Sequence, residues 1–149
     1  MQKAMISKCM LGVACRYDGA SKPLDEKLLK NLNEKYTLIP FCPEEFALPT
    51  PRPAARFIGD KLIDINGIDK TKEFQAGANE ALKICKENNI SIFIGKEKSP
   101  SCGISKTSAY INGCECKCDT MGLTSKILKE NGIDLISEWE VNYPIAKDD

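Results

Sequence analysis

Histidine is absent from this chain of 149 residues. Without an imidazole, the protein has neither a Ser–His nor a Cys–His pair to activate a nucleophile. Zinc sites that combine cysteine with histidine are excluded for the same reason. Any metal must therefore be held by thiolates, carboxylates or nonprotein ligands.

An excess of charge is also absent, because 21 Lys and Arg residues balance 21 Asp and Glu residues. Proteins that bind polyanions normally carry a basic excess, so the balance argues against DNA as a partner. A small anionic ligand held by one or two arginines is still compatible with zero net charge. No apolar run approaches the roughly 20 residues that cross a bilayer. We therefore expect a cytoplasmic protein without a membrane partner, and the sequence predicts no particular oligomeric state.

Cysteine, in contrast, is abundant, with eight residues. Secreted disulfide scaffolds have such counts, but they are usually shorter and lack long amphipathic helices. We find no secretory signal at the N-terminus, so metal or redox chemistry explains the thiols better. The length and the hydrophobic content of 42% favour a single globular domain, residues 1–149.

Apolar segments typical of buried strands alternate with amphipathic helical patterns along the chain. This alternation predicts an α/β fold, namely a Rossmann-like three-layer domain with a mainly parallel sheet. The predicted strands are residues 4–9, 36–41, 90–95 and 133–138, and the predicted helices are residues 24–35, 71–87 and 123–130.

Three connecting segments have other patterns. Residues 56–69 contain the turn signals Gly59-Asp60 and Asn66-Gly67, which predict a small hairpin insertion. Residues 44–55 contain three closely spaced prolines and are predicted to be an extended loop. We expect residues 104–122 to be irregular and polar.

Three cysteines follow predicted strands. Cys9 ends the first, Cys42 ends the second, and Cys102 lies in the turn "SPSCG" shortly after the third. In a parallel sheet, ligand sites form beyond the carboxyl ends of the strands, so these thiols are expected to meet. They would hold either zinc with an open fourth position or an iron–sulfur cluster with one iron free. The alternative is three unrelated buried cysteines.

The other cysteines are assigned separately. Cys85 lies on an apolar helical stripe and is expected in the core. Cys15 shares a loop with Cys9 and is a fourth ligand, a redox partner or a bystander. Cys114, Cys116 and Cys118 form C-x-C-x-C, a possible extra metal or redox site. On an extended strand residues two apart are separated by about 6.6 Å, so this triplet must bend to chelate a metal.

Polar residues beside these thiols suggest catalysis. Glu44 follows Cys42-Pro43 and would act as a general base for water; otherwise it is an ordinary surface glutamate or a charge at the N-terminus of a helix. Ser101 adjoins Cys102 and would orient substrate or water, whereas Ser99 either contacts substrate or caps the turn.

Two arginines occupy the same loops as the thiols. Arg16 in "CRYDG" and Arg52 in "PTPRP" would bind an anionic substrate group or fix the loops by donating to backbone carbonyls.

Four motifs in this order, "CMLGVACRYDG", "FCPEEFALPTPRP", "GKEKSPSCG" and "MGLTSKILKENGI", resemble the thiouracil desulfidases, long catalogued as a domain of unknown function. The resemblance covers nearly the whole chain. It implies a [4Fe-4S] cluster held by three cysteines, with one iron not bound by protein. The implied activity removes sulfur from thiolated uracil or its nucleotide without net redox change, giving the oxo base and sulfide.

By motif, the resemblance implies Cys9, Cys42 and Cys102 as cluster ligands, with Glu44 and Ser101 as catalytic residues. The chain departs from the family pattern at "NGCECKCDT" and at "RPAARF". Two other interpretations are a noncatalytic thiolate metal-binding or redox-sensing module and an enzyme that desulfurates a thiolated tRNA base.

Overall fold

The structure, a computed structural model, describes residues 1–142. Within this range, no helix combines the length and the apolar character needed to cross a membrane. The elements in chain order are β1 (Gln2–Ser7), a 3-10 turn (Lys8–Leu11), α1 (Glu26–Lys35), β2 (Tyr36–Phe41), α2 (Pro43–Ala47), β3 (Ala55–Ile58), β4 (Lys61–Asp64), α3 (Thr71–Glu87), β5 (Ile92–Gly95), β6 (Thr107–Ile111), β7 (Cys114–Cys118), α4 (Leu123–Glu130), β8 (Asp134–Ser137) and α5 (Glu138–Asn142).

A parallel four-stranded sheet with the order β2-β1-β5-β8 forms the centre of the fold. It contains the four predicted strands, so the expected α/β fold with a parallel sheet is confirmed. β1 ends at Ser7, two residues earlier than predicted, and Cys9 lies in the 3-10 turn that follows. The carboxyl ends of β1, β2 and β5 therefore open towards the same edge.

Helices cover both faces of this sheet. Successive strand residues point to opposite faces, so Ala4 and Ile6 pack on the side of α1, whereas Met5 packs on the side of α3 and α4. Phe93 of β5 joins Met5, and both are fully buried. Cys85 of α3 lies in this second cluster, where its apolar stripe predicted it.

A second sheet with the order β4-β3-β6-β7 lies beside the first. The predicted hairpin is present as β3–β4, but it is half of this sheet rather than a separate insertion. The expectation that residues 104–122 are irregular is wrong, because β6 and β7 form an antiparallel hairpin there. Asn112 and Gly113 both have positive φ at its turn, as the Asn-Gly signal favours.

A short helix replaces the start of the predicted extended loop. α2 begins at Pro43, because the fixed φ of proline suits the first helical position and Cys42 caps the helix. α2 packs on α3 at Gly77, where an added Cβ would lie 2.0 Å from the Pro43 carbonyl oxygen. Gly77 therefore allows the close approach that fixes both Cys42 and Glu44.

Candidate functional site

Four thiols meet in a cavity of about 400 Å³ beyond the carboxyl ends of β1, β2 and β5. Cys9, Cys42 and Cys102, the trio predicted from the strand ends, all line it, and Cys15 is the fourth. Parallel pairing is what brings together residues so distant in sequence. The volume lies within the range of small-molecule sites, so the cavity accommodates a compact ligand beside the thiols.

Local backbone structure fixes each thiol of the trio. Cys9 lies in the 3-10 turn after β1 and is buried. The Cys42 sulfur accepts from the backbone N–H of Glu45 at 3.4 Å, which caps α2. Cys102 is also buried, and its N–H donates to Ser99 Oγ at 3.1 Å. The predicted turn-capping role of Ser99 is thus seen directly in its contacts.

Helix α4 supports the turn that carries Cys102. The N–H groups of Leu123 and Thr124 donate to the carbonyls of Pro100 and Ser101 at 2.9 and 3.0 Å. Gly122 lies so close that an added Cβ would be 2.5 Å from the Ser101 carbonyl oxygen. The turn and the first turn of α4 therefore form one hydrogen-bonded unit.

Cys15 lies next to Cys42, whose thiol donates to the Cys15 carbonyl oxygen at 3.7 Å. Its bond with Cys42 lowers the pKa of Cys15, whereas its bond with Cys9 and burial raise it, with a net pKa of about 11. The bond with Cys15 and burial raise the pKa of Cys42 well above its ordinary value. Burial raises the pKa of Cys102, and a hydrogen bond with Ser7 opposes this shift. A metal held by Cys42 and Cys102 would therefore have to displace their protons at neutral pH.

Glu44 presents its carboxylate to the same cavity. Its Oε2 accepts from Ser101 Oγ at 2.8 Å and from Ser99 Oγ at 3.2 Å, and its Oε1 accepts from Arg52 Nε at 3.2 Å. Only 12% of the Glu44 side chain is exposed, so it is not an ordinary surface glutamate. The hydroxyls and the guanidinium together fix its orientation.

Arg52 is buried and uses all its nitrogen atoms within the protein. Besides Glu44, it donates to the Cys15 carbonyl at 2.8 Å, to Thr50 Oγ1 at 2.8 Å and to the Pro49 carbonyl at 3.2 Å. These contacts favour the predicted alternative in which this arginine fixes the loops.

Cations surround the mouth of the cavity, and among them only Arg16 was predicted from the sequence. Arg16 lies 3.6 Å from Asp18, and Lys96 pairs with Glu138 at 2.7 Å. Lys98 and Lys117 also line the cavity and form no ion pair within residues 1–142. The pKa of Lys117 is lowered by burial and by the charges of Lys98, Lys96 and Arg16. Positive charges therefore converge there. The alternating "KEK" before "SPSCG" was the available sequence signal.

Glu97 is a second carboxylate near the site, and no sequence pattern predicted it. It is fully buried, and it accepts from the backbone N–H groups of Ile104, Ser105 and Lys106 at 2.9–3.1 Å. The Ser137 hydroxyl also donates to it. Its contacts hold the segment after Cys102 against the sheet edge.

Comparisons with known proteins identify the family of the chain. A family model described as 2-thiouracil desulfurase matches residues 4–140. This chain belongs to the 2-thiouracil desulfurase family. It is 37% identical to the uncharacterized protein YbbK of Bacillus subtilis (strain 168), over 93% of this chain and 97% of that protein. A solved structure described as a [4Fe-4S]-dependent thiouracil desulfidase, TudS, superposes with a TM-score of 0.86 at 35% identity, covering 95% of this chain and 94% of TudS.

The C-x-C-x-C triplet of this family member lies outside the cavity. Cys116 and Cys118 lie side by side on β7 with their Cα atoms 5.3 Å apart, and Cys114 is free and exposed. The strand is thus bent between Cys116 and Cys118.

Proposed function

We propose that this protein is a [4Fe-4S]-dependent enzyme that removes sulfur from thiolated uracil or its nucleotide and releases sulfide. The observation that carries the proposal is one cavity containing three strand-end thiols and a Glu44 carboxylate oriented by Ser101 and Arg52. Family membership and the likeness to TudS support the cluster and the C–S bond as its target.

The donor set fits an iron–sulfur cluster. Within residues 1–142, no three Cys, Asp or Glu side chains are close enough to hold a single metal ion. A cluster with several irons needs more widely spaced thiolates, and Cys9, Cys42 and Cys102 around one cavity would supply them. When bound with one iron free of protein ligands, the cluster supplies a Lewis acid for the soft thiocarbonyl sulfur.

In the proposed reaction, residues of the chain itself activate the water that attacks the substrate. Glu44 accepts a proton from the water that attacks the thiocarbonyl carbon. Ser101 and Ser99 hold Oε2 by donating to it, and Arg52 holds Oε1, so the carboxylate is oriented before substrate enters. Water supplies the product oxygen and sulfur leaves as sulfide, so no electrons are transferred overall.

The cations at the cavity mouth favour the nucleotide over the free base. Lys98, Lys117 and Arg16 face the same opening, where a 5′-phosphate would relieve their mutual repulsion. A small thiolated pyrimidine fits a cavity of about 400 Å³. The zero net charge of the whole chain argues against thiolated tRNA as the substrate.

The parallel sheet acts as a Rossmann-like platform whose strand ends carry the ligands. The chain functions as one domain in the cytoplasm. Cys15 contacts the trio without being one of its ligands, which leaves one iron open.

The test is anaerobic purification, iron and sulfide counting, and turnover of thiouracil, its nucleotide and thiolated tRNA. We expect four irons per chain and sulfide release from the small substrates. A protein that stays free of iron after reconstitution contradicts the cluster proposal. Iron without turnover of any of the three substrates instead supports the noncatalytic module.

A further inference from the structure

Tyr17 places an exposed aromatic ring at the edge of the cavity. Within residues 1–142, Tyr17 and Phe41 are the aromatic residues that line it. The Phe41 ring packs on the ring of Phe46, with 6.1 Å between the ring centroids, and contacts the core cluster on the side of α3 and α4. Tyr17, in contrast, is 42% exposed. Its ring is therefore available to a ligand that enters the cavity.

Backbone hydrogen bonds hold the turn that carries Tyr17. The N–H of Arg16 donates to the Ala20 carbonyl at 3.1 Å, and the N–H of Gly19 donates to the Arg16 carbonyl at 2.9 Å. The N–H of Arg52 donates to the Tyr17 carbonyl at 2.8 Å, which ties the turn to the proline-rich loop. Because this backbone is fixed before a ligand binds, little conformational entropy is lost there on binding.

A cation lies beside the Tyr17 ring. The guanidinium carbon of Arg16 is 5.8 Å from the ring centroid, within the range of cation–π contacts. Arg16 is also one of the cations at the cavity mouth. The mouth therefore presents an aromatic surface next to positive charge, and a nucleotide presents the matching features, a planar base and a phosphate.

The other side chains of the cavity suit other parts of a substrate. Lys98 and Lys117 at the mouth suit a phosphate, whereas the thiols and Glu44 suit a thiocarbonyl group. A flat heterocycle also binds through its π-face, and aromatic side chains are the usual partners for that face. Tyr17 is the residue that supplies such a surface.

We propose that the pyrimidine ring of the substrate stacks on the Tyr17 ring, and that Tyr17 thereby selects planar bases for the cavity. That the ligand is a pyrimidine rests on the proposed function. Stacking acts on the ring and not on the phosphate, so Tyr17 contributes equally to the binding of a free base and of its nucleotide. A puckered ring cannot lie flat on the tyrosine and gains less from it.

The experiment measures binding to the anaerobic holoenzyme by calorimetry. The probes are uracil, uridine 5′-monophosphate and 5,6-dihydrouracil, whose saturated ring is puckered. Tyr17→Ala should weaken the binding of uracil and of the nucleotide by the same factor, about tenfold. Binding of dihydrouracil, already weaker in the wild-type protein, should change less than about twofold. Lys98→Ala should instead weaken binding of the nucleotide alone.

Further variants separate stacking from a structural role of the side chain. Tyr17→Phe keeps the ring and should bind uracil within about twofold of the wild-type affinity. Iron per chain should be unchanged in both Tyr17 variants, because stacking plays no part in holding a cluster. The matched control is Tyr110→Ala, since Tyr110 is 39% exposed on β6 and lies outside the cavity. It should change none of the affinities.

Three results overturn the inference. The first is uracil binding in Tyr17→Ala that equals the wild-type value, and the second is an equal loss in Tyr17→Phe and Tyr17→Ala. The third is a wild-type protein that binds uracil and dihydrouracil with the same affinity. None of them bears on sulfide release from thiouracil, which tests the proposed function separately.

Discussion

The hydroxyl of Ser101 donates a 2.8 Å hydrogen bond to the carboxylate of Glu44, across 57 residues of sequence. The serine lies beside a cysteine that follows β5, and the glutamate lies two residues after a cysteine that follows β2. The bond therefore joins two thiol-bearing segments at the point where a water molecule would be activated.

Replacing Glu44 with glutamine should abolish turnover and leave the iron in place. A glutamine cannot accept the proton from water, and losing a general base costs about 100-fold or more. Sulfide release from thiouracil and iron per chain are the measurements. The matched control is Glu45→Gln, because Glu45 pairs with Lys8 near the surface. Equal loss of turnover in both variants would contradict the role of Glu44.

The three strand-end thiols should be separable from the other cysteines by iron content. Serine at Cys9, Cys42 or Cys102 should reduce bound iron sharply, because each thiolate is a proposed ligand. Serine at Cys15 should leave four irons per chain, as should serine at the core residue Cys85. Iron loss in Cys15→Ser as severe as in the trio would make Cys15 a fourth ligand.

Arg52→Ala should destabilise the fold as well as the site. The variant leaves the carboxylate of Glu44 and two backbone carbonyls without their buried partner, and breaking such a pair costs about 3 kcal/mol. Urea unfolding measures the free energy difference. Lys8→Ala, which breaks the more exposed pair with Glu45, should cost less than about 1 kcal/mol. Similar costs for both variants would argue against a buried network.

Gly77→Ala should displace α2 although the residue lies outside the cavity. The new Cβ would be 2.0 Å from the Pro43 carbonyl oxygen, so α2 must move away from α3. We expect a loss of about 1–3 kcal/mol in unfolding free energy, together with reduced iron retention, since Cys42 caps α2. Lys72→Ala, at an exposed position of the same helix, should change neither quantity. Normal iron content in Gly77→Ala would show that α2 does not set the position of Cys42.

Lys98→Ala should raise the KM for a thiolated uracil nucleotide about two- to fivefold and leave the KM for free thiouracil nearly unchanged. The reason is the loss of one of the cations that face the cavity mouth. Added salt should reduce the difference, because it screens exposed charges. Lys126→Ala, on the exposed side of α4, is the control. A parallel rise in both KM values would contradict a phosphate contact.

The thiol trio could be predicted because two local signals were enough. Apolar strand segments and the helices between them imply a parallel sheet, and a parallel sheet brings its carboxyl ends together. Cys9, Cys42 and Cys102 each follow such a strand, and the structure brings them to one cavity. Their role as ligands stays a prediction.

Other features depend on contacts that local patterns do not contain. The Asn112-Gly113 turn favours a hairpin, but β6 and β7 are polar on one face, and the polar composition predicts an irregular stretch. Lys117 reaches the cavity only because its register with Ser108 turns it inwards. The buried position of Glu97 likewise depends on backbone N–H groups up to nine residues away along the chain.

The first turn of α4 donates backbone hydrogen bonds to the segment that contains Ser101 and Cys102. Amide exchange at residues 123–125 should consequently proceed only when that segment detaches, since the same bonds protect both. Exchange rates at the start of α4 would then report how often the segment that carries Ser101 and Cys102 detaches.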